Sequence, residues 1–296
     1  MIKPSLFSGC CTALVTPFSE HGIDYERLRH NLDFQYENGT AAVVVCATTG
    51  ENATLSPDET NELVRFTINA VAGRMKVIVG VGSNNTEAAL RRAQNAKALG
   101  ADGILMVTPY YNKSSQAGLI EHFSYVADRV EIPMILYNVP SRTGIGLTAE
   151  SYQALAQHPN IVGVKEASGD VSLMVKTRSL CGENLTLYSG NDDNTVAMMA
   201  LGAKGVISVA SNLLPAVMAK VCSLCLEGSF SEATALYGKY AVLFASLFSE
   251  VNPIPIKTAM QLMGMDSGLL RLPLTAMGAE NAAKLRANMR EAGLNV

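Results

Sequence analysis

The sequence predicts a (β/α)8 barrel with a C-terminal helical extension. Three observations carry this. About eight short apolar runs recur along the first three quarters of the chain. Their spacing is close to the roughly 30 residues of a strand-helix-strand unit, and amphipathic stretches with helix punctuation lie between them. Continuous rather than alternating apolarity suits parallel strands buried on both faces. A doubly wound sheet usually carries fewer strands.

Taken in order, the runs are Gly9 to Leu14, Ala42 to Cys46, Val77 to Val81, Gly103 to Val107, Met134 to Tyr137, Ile161 to Val164, Leu185 to Tyr188 and Gly205 to Val209. Ser56-Pro57-Asp58-Glu59 supplies an N-cap, a proline at the first helical position and the glutamate of a capping box, opening a helix to about Ala72. Thr86 and Thr148 start two further helices, and Gly39 and Gly100 stop two others. After about Gly228 the strand signal ends. Ser231 to Phe248, Pro255 to Met263 and Ala279 to Ala292 read as helices. The expected division is a barrel over residues 1–228 and a helical extension over residues 229–296.

A chain of 296 residues with 48% hydrophobic and 17% charged residues has the material for a sizeable core. A net charge of -3 gives no electrostatic reason to expect nucleic acid as a partner. No apolar run approaches the roughly 20 residues of a membrane span, and the start lacks the plan of a signal peptide, so a cytoplasmic protein is expected. The six cysteines are scattered, unlike a disulfide framework, and read as reduced thiols. Without a secretory route, the glycosylation-like patterns at Asn38, Asn52 and Asn84 are accidental.

In such barrels the active site lies at the C-terminal ends of the strands, so residues directly after each run are the candidates. These ends read Ala47-Thr48-Thr49-Gly50-Glu51, Thr108-Pro109-Tyr110-Tyr111-Asn112, Tyr137-Asn138-Val139-Pro140-Ser141-Arg142-Thr143-Gly144 and Lys165-Glu166-Ala167-Ser168-Gly169. Lys76 and Lys204 precede their strands, whereas Lys165 closes Ile-Val-Gly-Val at the functional end. An amine held against apolar walls loses solvation of its charged form, which favours the neutral nucleophile and Schiff-base chemistry with a ketone. Position alone leaves a second reading open, a lysine that snorkels to water or pairs with Glu166.

Tyr137 ends the preceding strand and could move protons, or simply pack. Thr48 and Thr49 could bind a carboxylate through hydroxyls and backbone N–H groups, or serve only the turn. Arg142 offers a planar fork for a carboxylate or phosphate, although many loop arginines are merely solvated. The four histidines show no zinc-binding spacing, and Cys222-x-x-Cys225 lies in an apolar helical run without a second pair. Gly80-Val-Gly82 lacks the third glycine of a dinucleotide loop. The expected enzyme needs no cofactor and no metal.

Together, Ala-Thr-Thr-Gly-Glu, Thr-Pro-Tyr-Tyr-Asn, Tyr-Asn-Val-Pro-Ser-Arg-Thr-Gly and Val-Lys-Glu-Ala-Ser-Gly resemble the dihydrodipicolinate synthase family of pyruvate-dependent aldolases. The likeness runs essentially end to end and includes Asn252-Pro-Ile-Pro-Ile-Lys257 and Arg271-Leu-Pro-Leu-Thr275. The Thr-Gly-Glu loop, the Tyr-Asn-x-Pro strand end and the lysine are shared with the broader superfamily. The paired tyrosines and the Ser-Arg-Thr-Gly loop are more specific. Ala47 departs from the glycine usual there, and its methyl could crowd the loop.

The resemblance implies condensation of pyruvate with L-aspartate 4-semialdehyde, the first committed step towards diaminopimelate and lysine. It implies Lys165 as the imine-forming lysine, with Tyr137, Thr48 and Tyr111 as a proton relay in which Tyr111 reaches a neighbouring subunit. Thr49 and the backbone of Ile207 would hold the pyruvate carboxylate, Gly190 would line the pocket, and Arg142 would bind the semialdehyde. A homotetramer, a dimer of dimers, is expected on the same ground. Inhibition by lysine is expected to be weak, because Pro57 and Thr60 stand where inhibited relatives carry histidines and Ala88 where they carry a glutamate. A lyase acting on sialic acid or a keto-deoxy sugar acid is the nearest rival. A non-catalytic metabolite-binding barrel is the more distant one.

Overall fold

The structure, a computed structural model, describes residues 3–296. Eight parallel strands close into a barrel: β1 (Gly9–Ala13), β2 (Ala42–Val45), β3 (Lys76–Gly80), β4 (Gly103–Val107), β5 (Met134–Asn138), β6 (Ile161–Glu166), β7 (Thr186–Ser189) and β8 (Gly205–Ser208). Closure is made by β1, which pairs with β8 through Cys11 and Ile207 and with β2 through Cys11 and Ala42. All eight runs read from the sequence are strands, with ends displaced by no more than two residues.

Alternation along the strands divides the buried residues into two sets. Cys11, Val44, Ile78, Leu105, Ile135, Tyr188 and Ile207 fill the lumen. Cys10, Val43, Val79, Met106, Leu136, Leu187 and Val206 pack outward beneath the helices. The lumen is therefore a filled core and not a channel, so a ligand can enter only at a mouth.

Between the strands run α1 (Tyr25–Glu37), α2 (Pro57–Val71), α3 (Thr86–Leu99), α4 (Gln116–Arg129), α5 (Ala149–Leu155), α6 (Val171–Cys181), α7 (Thr195–Ala200) and α8 (Pro215–Leu226). The capping box at Ser56 and Glu59 forms in both directions. Thr148 caps α5, and Gly100 ends α3 at φ +95°, a conformation suited to glycine. Thr86, expected to start a helix, is the first residue of α3. The capping side chain is Asn85, whose Oδ1 accepts from the Ala88 N–H at 3.1 Å.

The extension comprises α9 (Phe230–Gly238), α10 (Ala241–Ser246), α11 (Ile254–Leu262) and α12 (Ala279–Glu291). The single helix expected over Ser231 to Phe248 is broken at Gly238-Lys239-Tyr240, where glycine weakens the helix and the chain turns. The break lets Leu243, Phe244 and Leu247 join the same core as the barrel helices. A two-residue hairpin, Phe18–Ser19 with Gly22–Ile23, went unread because each strand is too short to show a period. Among the described residues no helix is long and apolar enough to cross a membrane.

One irregularity lies next to the functional end. Met134 on β5 pairs with Ile161, but Ile135 pairs with Gly163, so Val162 is an extra residue in β6. Such a bulge shifts the alternation of everything after it. Beyond it, Lys165 pairs with Tyr137 and Glu166 with Asn138.

Candidate active site

Lys165 and Tyr137 meet as neighbours across β5 and β6, and the lysine amine lies 4.5 Å from the centroid of the Tyr137 ring. Lys165 is 4% exposed and Tyr137 8%. Both line a cavity of about 450 Å³ at the C-terminal mouth, with Thr48, Thr49, Arg142, Gly190 and Asn252 also on its wall. A second chamber of about 280 Å³ shares Ala47, Thr48, Tyr137 and Arg142 with it and extends towards Tyr110.

The open alternative for Lys165, pairing with Glu166, is removed by strand geometry. Successive side chains point to opposite faces. Glu166 faces outward, where its carboxylate accepts from Asn138 Nδ2 at 3.1 and 3.0 Å, from the Tyr152 hydroxyl at 2.6 Å and from the Ser168 N–H at 2.7 Å. Burial, together with this carboxylate, pushes the Tyr152 phenol far above its ordinary range, so it remains a donor. Asn138 Oδ1 accepts from the Leu147 N–H at 3.1 Å. This outer network fixes the ends of β5 and β6 while their inner faces carry Tyr137 and Lys165.

The loop after β2 is a tight turn in which the N–H groups of Gly50 and Glu51 bond to the carbonyls of Ala47 and Thr48, each at 3.1 Å. Left-handed backbone falls on Cys46 (φ +55°) and Glu51 (φ +54°) and not on Ala47, so the alanine methyl is accommodated without strain of that kind. Glu51 turns away from the mouth into a fully buried ion pair with Lys257 on α11, at 2.8 Å. Thr49 is buried and its hydroxyl oxygen accepts from Asn252 Nδ2 at 3.0 Å. Arg142 lies in a one-turn helix, Pro140–Thr143, after β5, and its guanidinium donates to the Asn252 carbonyl at 3.1 Å.

Gly190 follows β7, and its N–H donates to the Glu166 carbonyl at 2.7 Å. A Cβ there would lie 2.7 Å from that of Ala167 and 2.9 Å from the same carbonyl, so only glycine fits this wall. The end of β8 is held by Asp192, fully buried, whose Oδ2 accepts from the N–H groups of Val209 and Ala210 at 3.1 and 2.9 Å. Burial pushes its carboxyl up, against the pull of Ser208, these N–H groups and the charge of Lys165.

Two expected residues stand apart. Tyr111 is 90% exposed, at φ +66°, and does not line either chamber of its own chain. Ile207 lies in the lumen, where it pairs with Cys11, while Val209 reaches the cavity wall. Asn138 and Glu166 fall in the strand-end runs without a role of their own, and Asp192 and Lys257 are marked by neither residue type nor position. Their signal is three-dimensional, and Asn252 and Lys257 stood only in a run quoted for its family likeness.

A (β/α)8 barrel whose C-terminal mouth sets a buried lysine beside a phenol, with hydroxyls and a guanidinium around them, has the arrangement that Schiff-base-forming barrel enzymes require. The chain belongs to the dihydrodipicolinate synthetase family, whose description matches residues 6–292. It is 46% identical to the 4-hydroxy-tetrahydrodipicolinate synthase of Clostridium perfringens over 98% of this chain and 99% of that one. It is 46% identical to the enzyme of the same name from Caldicellulosiruptor bescii over 99% of each chain. The crystal structure of dihydrodipicolinate synthase from Aquifex aeolicus superposes with a TM-score of 0.96 at 44% identity, covering 97% of this chain and 99% of that one.

Proposed function

We propose that this chain condenses pyruvate with L-aspartate 4-semialdehyde to give 4-hydroxy-tetrahydrodipicolinate, on the route to diaminopimelate and lysine. The observation that carries the reading is the buried Lys165 amine 4.5 Å from the Tyr137 ring in a cavity walled by Thr48, Thr49 and Arg142. Lys165 attacks the ketone carbon of pyruvate and, with loss of water, forms a protonated imine. Loss of a methyl proton gives an enamine, with the imine nitrogen taking up the electron pair. The enamine carbon bonds to the aldehyde carbon of the second substrate. The amino group of that substrate then displaces the Lys165 nitrogen by transimination, closing the ring and freeing the enzyme.

In this reading Tyr137, Thr48 and Tyr111 move the protons. A hydroxyl chain does so without placing a full charge beside the iminium. Thr49 and the backbone around Ile207 take the pyruvate carboxylate, Gly190 leaves room at the wall, and Arg142 takes the carboxylate of the semialdehyde through its planar fork. The exposure and left-handed backbone of Tyr111 support a role in the site of a second subunit within a homotetramer. Residues 1–228 form the catalytic barrel, residues 229–296 its extension, and the enzyme works in the cytoplasm. No nucleic acid, membrane, cofactor or metal takes part.

Borohydride reduction in the presence of pyruvate tests the reading. One pyruvate-derived group per chain should appear on the peptide containing Lys165, and the enzyme should then turn over L-aspartate 4-semialdehyde. Labelling at Lys113 or Lys257, or turnover of a keto-deoxy sugar acid alone, would refute it.

Free lysine should inhibit weakly. Pro57, Thr60 and Ala88 line a cavity of about 370 Å³ between α2 and α3 whose charged residues are Arg91 and Arg92, with no carboxylate to meet an ammonium. Glu87, the nearest acid in sequence, is engaged by the Tyr125 hydroxyl at 2.6 Å. Losing a charged partner typically costs about 1.5 to 3 kcal/mol, or roughly one to two decades in affinity. Titrating lysine against initial rate at subsaturating pyruvate should show little effect below millimolar concentrations, and strong submillimolar inhibition would contradict this.

A further inference from the structure

Asn252 lies outside the strand ends, in the segment between α10 and α11, yet it touches two candidate substrate-binding residues at once. Its side-chain Nδ2 donates to the Thr49 hydroxyl oxygen at 3.0 Å, and its backbone carbonyl accepts from the Arg142 guanidinium at 3.1 Å. It is 8% exposed and forms part of the cavity wall beside Lys165. Its Oδ1 is buried without a hydrogen-bond partner among the described residues. A buried amide normally satisfies both of its ends, and one left half-satisfied calls for an explanation in function.

A hydroxyl group has one hydrogen to donate and accepts through its lone pairs. Because the Thr49 oxygen accepts from Asn252, its own hydrogen does not point at that amide and is directed elsewhere. A carboxylate in the cavity offers only acceptors, so a hydroxyl prearranged as a donor binds it without reorientation. The Arg142 contact pins the Asn252 backbone, and so the amide is delivered from a fixed point.

We infer that Asn252 is a positioning residue that sets the donor direction of the Thr49 hydroxyl, so that the C-terminal extension tunes affinity for the α-keto acid carboxylate. The inference rests on the function proposed above and concerns only the first substrate. It does not require Asn252 to touch the reacting atoms.

The test is the pyruvate concentration that gives half-maximal borohydride trapping at Lys165, a readout that needs no second substrate. Asn252→Ala should raise it about tenfold, as expected for a weakened hydrogen bond to a charged group. The KM for the semialdehyde should move less than twofold, and kcat less than about threefold. In a Thr49→Val background, where no hydroxyl remains to be oriented, Asn252→Ala should change half-saturation by less than twofold.

An unchanged half-saturation in Asn252→Ala, or the same tenfold increase in the Thr49→Val background, would overturn the inference. Should the alanine variant fail to fold, Asn252→Leu keeps the branched shape and repeats both comparisons. If the parent enzyme itself is not trapped by pyruvate, it is the proposed function that fails, and the two failures are thereby told apart.

Discussion

Lys165→Arg is expected to lower turnover by on the order of 10⁴-fold or more, the scale seen when a catalytic nucleophile is removed. The side chain sits in the lumen 4% exposed, against the Tyr137 ring, and nothing else on the cavity wall carries an amine. Arginine keeps the positive charge but its guanidinium stays protonated and cannot form an imine. Loss of rate should therefore be accompanied by complete loss of pyruvate trapping. Tyr137→Phe gives the contrasting case. It removes a proton-transfer group, which typically contributes about 10² to 10⁴-fold, and leaves the amine in place. Trapping in that variant should persist while turnover falls. A Lys165→Arg enzyme that retained more than about a hundredth of the parent rate, against the loss expected for a nucleophile, would exclude covalent catalysis by this residue.

The second large effect concerns stability. Lys257→Met should destabilise the fold by about 3 to 5 kcal/mol, the cost of leaving one partner of a buried pair uncompensated. The Lys257 amine and the Glu51 carboxylate are both fully buried, 2.8 Å apart, and the amine also donates to the Thr16 carbonyl at 3.0 Å and lies over the Phe18 ring. Glu51 in turn accepts from the Arg271 N–H at 3.1 Å. Nearby, burial holds the Asp266 carboxyl up at about 6, with Lys257 the main influence pulling it down. Removing the lysine should raise it further. Urea unfolding at neutral pH should show the loss, with the midpoint moved and the slope unchanged. Adding Glu51→Gln to Lys257→Met should recover part of it, because the second change removes the orphaned charge. A variant as stable as the parent would show that water reaches this cluster.

The sequence carried the barrel because strand signals repeat. Each of the eight runs is weak alone, but strand, helix and spacing agree along some 200 residues, and a local error such as the single helix over Ser231 to Phe248 does not alter the topology. The strand-end rule then brought Lys165, Tyr137, Thr48, Thr49 and Arg142 to one mouth, where the structure also gathers them. The rule fails for residues that reach the site from elsewhere. Asn252 comes from the extension and contacts Thr49 across 203 positions of chain, and Lys257 meets Glu51 across 206, separations over which no local period exists. Tyr111 was legible only through family likeness, since its own chain leaves it 90% exposed.

The bulge in β6 lets the strand carry an extra residue without turning its lysine round. Ile161 faces outward and Val162 inward, so simple alternation would turn position 165 out and position 166 in. With the bulge, Lys165 instead shares the inner face with Tyr137. Flattening the bulge with Val162 retained would thus exchange two neighbours, putting a carboxylate in the lumen and an ammonium beneath the helices, whereas deleting Val162 would leave a regular ladder with Lys165 still facing inward. The bulge is thus a spare residue held in the strand: a homologue that lost it would keep its lysine in the lumen, whereas one that kept the residue and lost the bulge would turn its lysine out.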